Sequence, residues 1–249
     1  MSSNVSKGKQ KYGGKSKGKK KGKAKDAKLS PYTTSLIRAI ARNATKTALA
    51  RNVEVKGYNL NLVWHVSADE NQHCHNLTSM AQGTGMGQRT GNRVTLKAAR
   101  LTYWWEIPPT GWTGDEFNTI RLMVFQYKLS GTANVPTFDE ITHSATADVF
   151  IRTIDLEQRK NIVLLYDKTT RLVAPTSANS AANYKIYNGS HYFRDDVKLD
   201  LRYCAKDIRY DDDGSTNGDN HLWMVAVSDS TVSSHPTMYI HTEVLYTDM

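Results

Sequence analysis

Two periodicities meet near residue 52 of this 249-residue chain, and that junction restricts its fold more than any other feature. Beyond residue 53, short runs alternate apolar with polar residues between turn-rich connections. A period of two belongs to the pleated strand, whose successive side chains point to opposite faces. No long helical pattern separates these runs, so a parallel α/β sheet is excluded and an all-β sandwich or barrel is expected. In the run DDVKLDLRY, Val197, Leu199, Leu201 and Tyr203 fall on one side, and Asp196, Lys198, Asp200 and Arg202 on the other. That pattern predicts a half-buried antiparallel strand.

A second run changes register midway. Val94, Leu96 and Ala98 alternate in one phase, while Leu101, Tyr103, Trp105 and Ile107 alternate in the opposite one. The switch predicts a β-bulge near Ala99 and Arg100. Further strands are predicted over residues 53–67, 119–129, 149–154, 161–167, 171–174, 222–228 and 238–247, and LWMVAV at 222–227 is apolar on both faces, as a central strand would be. Eight or nine strands with long connections at 128–148 and 175–188 fit a single eight-stranded jelly roll. An immunoglobulin-like sandwich or a lectin-like body fits the same count.

Upstream of the junction the composition is of another kind. Residues 1–51 hold 15 Lys or Arg against one acid, Asp26, a formal +14; the other 198 residues hold 18 against 23, a formal −5. A cationic arm on a mildly acidic body points to a polyanionic partner. The stretch GKQKYGGKSKGKKKGKAKDAK has too few apolar residues to offset its ordering entropy, so residues 1–30 are expected to be disordered in isolation. Its lysines (Lys7, Lys9, Lys11, Lys15, Lys17, Lys19, Lys20, Lys21, Lys23, Lys25 and Lys28) are candidate phosphate neutralisers, acting by counterion release without reading bases. The cluster Lys19, Lys20, Lys21 and Lys23 also suits a nuclear-import signal.

Residues 35–51, SLIRAIARNATKTALAR, repeat apolar residues at spacings of three and four, which predicts a short amphipathic helix. Arg38, Arg42 and Lys46 stand at i, i+4 and i+8 and form one cationic face, with Arg51 at the end. A basic amphipathic helix can also lie on a membrane. The alanine-rich apolar face, the lack of Trp or Phe and the attached lysine run favour nucleic acid instead, with no membrane partner.

The body at residues 52–249 has the size of one domain and should bury roughly 70% of its unfolded surface. Cys74 and Cys204 give no disulfide framework, and no apolar stretch is long enough for a signal peptide or membrane span. A cytoplasmic or nuclear chain is the resulting expectation.

The glycine-rich stretch QGTGMGQRTGNRV at residues 82–94 invites a phosphate-loop reading, but it contains neither GxGxxG nor GK[ST]. A strand follows it, where a nucleotide loop needs a helix N-terminus. In NQHCHN, His73, Cys74 and His75 lack a second ligand pair nearby and are expected to form a polar loop rather than a zinc site. Asp211, Asp212, Asp213 and Asp219 in DDDGSTNGD lack the terminal glutamate and flanking helices of a calcium loop, so a solvated turn is expected. No nucleophile elbow, metal-binding helix or kinase-like set is present, so no catalytic residue is assigned and no enzyme is expected.

The pattern Q-G-x-x-x-x-Q-R-x-G-x-x-V, carried by Gln82, Gly83, Gln88, Arg89, Gly91 and Val94, resembles the entry into a strand in coat proteins of small icosahedral viruses. Two groups share it: satellite tobacco necrosis virus-like coat proteins and capsid proteins of circular Rep-encoding single-stranded DNA viruses. IRLMVFQYKLSG, NIVLLYDKTTRL and the ending EVLYTDM follow in the order of that family, after the lysine-rich segment and basic helix. The resemblance implies a jelly roll, sixty copies in a T=1 shell, an inward-facing arm and a packaged single-stranded genome, with DNA favoured by the longer chain. It also implies a virion location, with assembly in the host nucleus or cytoplasm, and glycines that adopt positive φ at turns beside a subunit contact. The Y-T-D ending is similar to one in which the aspartate helps to bind calcium at a subunit contact, which makes Asp248 a candidate ligand and calcium the one candidate cofactor. The competing expectation is a cellular nucleic-acid-binding β-sandwich with a polybasic tail.

Overall fold

A computed structural model describes residues 30–52, 54–68, 73–107, 117–129, 136–143, 148, 150–173, 192–211, 218–231 and 235–248. The chain divides into two compact units, Met1–Arg51 and Asn52–Met249.

In the first unit, helix α1 spans Pro31–Asn52. It starts one turn earlier than the apolar spacing predicts, because Ser30 and Pro31 form its N-terminus. The Ser30 hydroxyl accepts from the Thr33 amide (3.1 Å), and Pro31 occupies the first helical position, where a missing N–H costs nothing. Thr34, Ser35, Thr45 and Thr47 donate their hydroxyls to carbonyls three or four residues back, which satisfies these polar groups within the helix.

The second unit is all-β. Its strands are β1 (Lys56–His65), β2 (Cys74–Asn76), β3 (Arg93–Glu106), β4 (Phe117–Tyr127), β5 (Ile162–Val173), β6 (Tyr192–Lys198), β7 (Asp207–Tyr210), β8 (Gly218–Asp219), β9 (His221–Ser228) and β10 (Thr237–Asp248), with a one-turn helix α2 (Phe138–Ile141) between β4 and β5. The pairings between these strands are antiparallel, and one set of them is nested: β1 with β10, β2 with β9, β3 with β6 and β7, and β4 with β5; β3 with β10, β4 with β9 and β7 with β8 join these into sheets. The chain is thus one long hairpin, rolled so that its successive rungs fall alternately into two sheets. The first sheet runs β1-β10-β3-β7-β8, with β6 also on β3; the second runs β2-β9-β4-β5. This is an eight-position jelly roll in which the strand opposite β3 is split into β6 and β7.

The main core lies between the sheets and includes Leu101, Tyr103 and Trp105 from β3, Ile120, Leu122 and Val124 from β4, Leu222 and Met224 from β9, and Ile240 and Tyr246 from β10. Fully burying a side chain of this size contributes roughly 1.5–3 kcal/mol. LWMVAV has a second apolar face because the β4–β5 connection folds over the outside of the second sheet. There Met123, Phe125, Val225 and Val227 pack with Phe138, Ile141 and Ile162 in a separate core. A capping box of Thr137 and Glu140 starts α2. Arg121 fixes the cover in place, donating two hydrogen bonds to Asp167 (2.7 and 2.9 Å) and one to the Arg152 carbonyl (2.8 Å), while Arg152 pairs with Asp139 at 2.7 Å.

The β3 bulge is present and lies at Lys97. Leu245 faces Ala98 and Tyr246 faces Leu96, so Lys97 is the extra residue; the inward phase resumes at Ala99, with Ala98 only half-buried. DDVKLDLRY is not one strand. β6 ends at Lys198, and Leu201–Tyr203 form a 3-10 turn capped by Asp200, which leaves Tyr203 77% exposed instead of in the core. The predicted strands 161–167 and 171–174 are one strand, β5, running through Asp167–Thr170. Within 149–154, residues 150 and 151 form a turn and Ile154 makes an isolated bridge to Thr142, so no strand forms among the described residues there.

Candidate nucleic-acid interface

Lys7 to Lys28 lie outside the described residues, so the structure bears on the basic segment through α1. Its 22 residues include no acid. Arg38 and Arg42 are exposed, and among the described residues no carboxylate pairs with either. The helical backbone sets Arg38, Arg42 and Lys46 one turn apart, about 6 Å per step. Leu36, Ile37 and Ile40 project from other positions of the helix and are 48–60% exposed.

The glycine-rich loop is a structural knot. Gln82 and Arg89 form a bridge in which the Gly83 amide donates to the Arg89 carbonyl (2.9 Å) and the Arg89 amide to the Ala81 carbonyl (3.0 Å). Of the four glycines in the stretch, Gly87 has positive φ, +77°. Gly83 serves another purpose: a Cβ there would collide with Gln88 Oε1, the atom that accepts from the Gly85 amide at 2.8 Å.

Arg89 is completely buried. Its Nε donates to the Met80 carbonyl (3.2 Å), its Nη1 to the Gly91 carbonyl (2.7 Å) and Asn92 Oδ1 (2.9 Å), and its guanidinium lies 4.0 Å from the centre of the Tyr210 ring. Arg93 pairs with Asp207 across β3 and β7, and that guanidinium holds the Asp207 carboxyl below the usual carboxylate range. Both arginines of the glycine-rich stretch thus make contacts within the chain itself.

Asp248 accepts from Lys56 Nζ (2.6 Å), the Thr90 amide (3.2 Å) and the Thr90 hydroxyl (2.8 Å). It joins the last strand to the first and to the glycine-rich loop. Among the described residues no three His, Cys, Asp or Glu side chains converge on a possible metal position. Within this chain the Lys56 ammonium supplies the positive charge beside Asp248. His73, Cys74 and His75 are not a polar loop: Cys74–Asn76 form edge strand β2 against β9, and the His73 and His75 rings pack beside Trp64. Burial pushes the Cys74 thiol up to about 12, with the Glu140 charge adding to it, so the sulfur stays protonated near neutral pH. Asp211 is half-buried and Asp219 lies in β8, while Asp212 and Asp213 fall outside the described residues.

One cluster of cations was not singled out by sequence reasoning. Lys97, Lys198, Arg202 and Lys206 line a cleft of about 390 Å³ beside the β3 bulge, together with Leu96, Leu199 and Asp200. Each reads in sequence as an isolated solvent-facing residue; the bulge and the split between β6 and β7 bring them together.

Among the described residues, no helix is long and apolar enough to cross a membrane. No family model matches the chain, and no curated protein matches it. Among solved structures the chain is similar to one described as Desmodium yellow mottle tymovirus, with a TM-score of 0.34, 10% sequence identity, and 79% of this chain and 88% of that chain covered.

Proposed function

We propose that this chain is the capsid protein of a small icosahedral virus, forming a T=1 shell of sixty copies and packaging single-stranded nucleic acid, DNA in preference to RNA, through its basic N-terminal segment. The observation that carries this reading is the union of a jelly-roll body with an acid-free basic helix and a lysine-rich run upstream of β1. Jelly rolls also serve as lectin domains, so the fold does not decide the function. The charge partition favours the packaging reading: sixty segments of +14 would supply about +840, a scale suited to condensing a genome on the order of a thousand nucleotides.

Phosphate neutralisation reads no sequence, which suits a shell that must hold every part of a genome. The Q-G-x-x-x-x-Q-R-x-G motif supports the reading through its place in the body, where buried Arg89 ties the loop before β3 to Tyr210 at the end of β7. The basic segment faces the genome and the β body forms the shell. The site of action is the virion, and the Lys19–Lys23 cluster would serve nuclear entry during assembly.

The test is negative-stain electron microscopy of the purified full-length protein, with the 260/280 nm absorbance ratio of the same fraction. Uniform icosahedral shells with nucleic-acid-like absorbance are expected, and nuclease sensitivity then identifies the genome type. Small particles alone, across salt and calcium conditions, would transfer the function to a cellular nucleic-acid-binding protein.

A further inference from the structure

We infer that the cleft beside the β3 bulge is a second contact point for the same nucleic acid, with phosphates held by Lys97, Lys198 and Lys206 and an unstacked base resting on Tyr203. This rests on the nucleic-acid reading above and extends it from the basic segment to the β body.

The cleft exists because regular pairing fails there. β7 pairs with Arg93, Val94 and Thr95 of β3, β6 pairs with Arg100 to Glu106, and the bulge lies in the interval. The excursion between β6 and β7 bridges this interval: the Leu96 amide donates to the Lys206 carbonyl (2.7 Å) and the Leu199 amide to the Ala99 carbonyl (3.0 Å). Lys206 is thereby fixed next to Lys97, and Lys198 stands opposite Arg100 a short way along the strand. Bulges redirect side chains in this way.

The charges around the cleft are unequally compensated. Asp200 is bound by Arg202 (2.6 and 2.9 Å), and in the adjoining hollow Asp196 is bound by Arg100, with Glu243 nearby. The three lysines are exposed, and among the described residues none has a carboxylate partner. Like charges gathered on a body of net −5 repel one another, and a bound polyanion removes that repulsion.

Two observations favour nucleic acid over other polyanions. Lys56 of β1 faces Tyr246 of β10, which faces Leu96 of β3, so the strand that continues from the basic segment begins two strand spacings, about 10 Å, from the cleft. The same excursion also presents Tyr203, 77% exposed, with the Arg202 guanidinium 5.7 Å from its ring centre. An open aromatic ring beside a cationic groove is the combination that binds single strands without sequence preference.

The experiment uses full-length protein freed of co-purifying nucleic acid, and follows the anisotropy of labelled oligothymidylate and labelled heparin across a salt series. Replacing Lys97, Lys198 and Lys206 together by Gln should lower the slope of log affinity against log salt by about 2, at about 0.7 per lost single-strand phosphate contact. Tyr203→Ala should weaken oligothymidylate binding roughly tenfold, the scale of one lost base stack, and leave heparin binding unchanged. Lys97→Gln and Lys206→Gln alone, each expected to lower the slope by about 0.7, keep the test open if the triple variant folds poorly. An unchanged slope in these lysine variants overturns the cleft contact. Tyr203→Ala acting equally on both probes, or on neither, overturns its assignment to nucleic acid. A parallel variant with Lys7–Lys28 replaced by Gln separates the two readings: it loses affinity if the basic segment binds, whatever the cleft does.

Discussion

Arg89 shows how one residue holds a loop that looks built for a ligand. A buried guanidinium must satisfy its donors internally, and here three of them reach Met80, Gly91 and Asn92 while the plane lies over Tyr210. Arg89→Met keeps the volume but leaves those acceptors short of donors, so the body should lose on the order of 3 kcal/mol, read as a lower urea midpoint at unchanged slope. A midpoint within error of the parent would show that Arg89 carries no structural role. Asp248 gives a second, pH-dependent test. Burial raises its pKa, but the hydrogen bonds from Lys56 and Thr90 outweigh burial and the net shift is downward. A carboxyl lowered on folding stabilises above its unfolded pKa near 4, and that contribution disappears as pH falls through the still lower folded value. Asp248→Asn should therefore cost roughly 1–2 kcal/mol at pH 7 and clearly less near pH 3, below the unfolded pKa. Equal costs at both pH values would remove the ion pair from the account, and stabilisation of the parent, but not of Asp248→Asn, by millimolar calcium would support a metal role for Asp248.

At the scale of elements, what could be read from sequence depended on whether a segment's environment was local or tertiary. α1 was legible because capping and helical period are local signals, and its first turn was missed where Ser30 and Pro31 read as the end of the lysine-rich run. The β3 bulge was legible because a phase change in alternation has few other causes, although its position at Lys97 depended on the pairing with Leu245 and Tyr246. DDVKLDLRY misled because a 3-10 turn capped by Asp200 continues an alternation that the strand had already ended. The predicted break at 168–170 reflects polar residues there; β5 is an edge strand, with partly exposed positions throughout that segment. β2, three residues long, is too short to show any period. The cationic cleft was hidden for the same reason as the Arg89 clamp, since both are assembled from segments about a hundred residues apart. For α1 the functional prediction follows from its charge: Arg38, Arg42 and Lys46 changed together to Glu place three anions where phosphate should lie. Particles should then be empty or fail to form, measured by the 260/280 nm ratio and electron microscopy. Normal genome content would exclude this helix from packaging.

Over the whole molecule, the two units divide the work by their chemistry. Residues 52–249 hold both cores, every strand pairing among the described residues and the ties from Asp248 to Lys56 and Thr90. The residues of both cores all fall within 52–249, so removal of residues 1–51 should delete charge and spare the core. The deletion takes away 15 cations, whereas the cleft beside β3 offers three exposed lysines. Since affinity for a single strand changes by about 0.7 in the salt slope per phosphate contact, a body-only protein should retain a shallow slope and little affinity at physiological salt. Circular dichroism of that truncated protein should still show a cooperative thermal transition of a β-rich fold, because its packing is unchanged. Near-complete loss of oligonucleotide binding with a normal transition would locate binding in the basic segment. Affinity close to that of the full chain at low salt, with the body equally well folded, would move the main binding surface onto the jelly roll and make the cleft its first candidate.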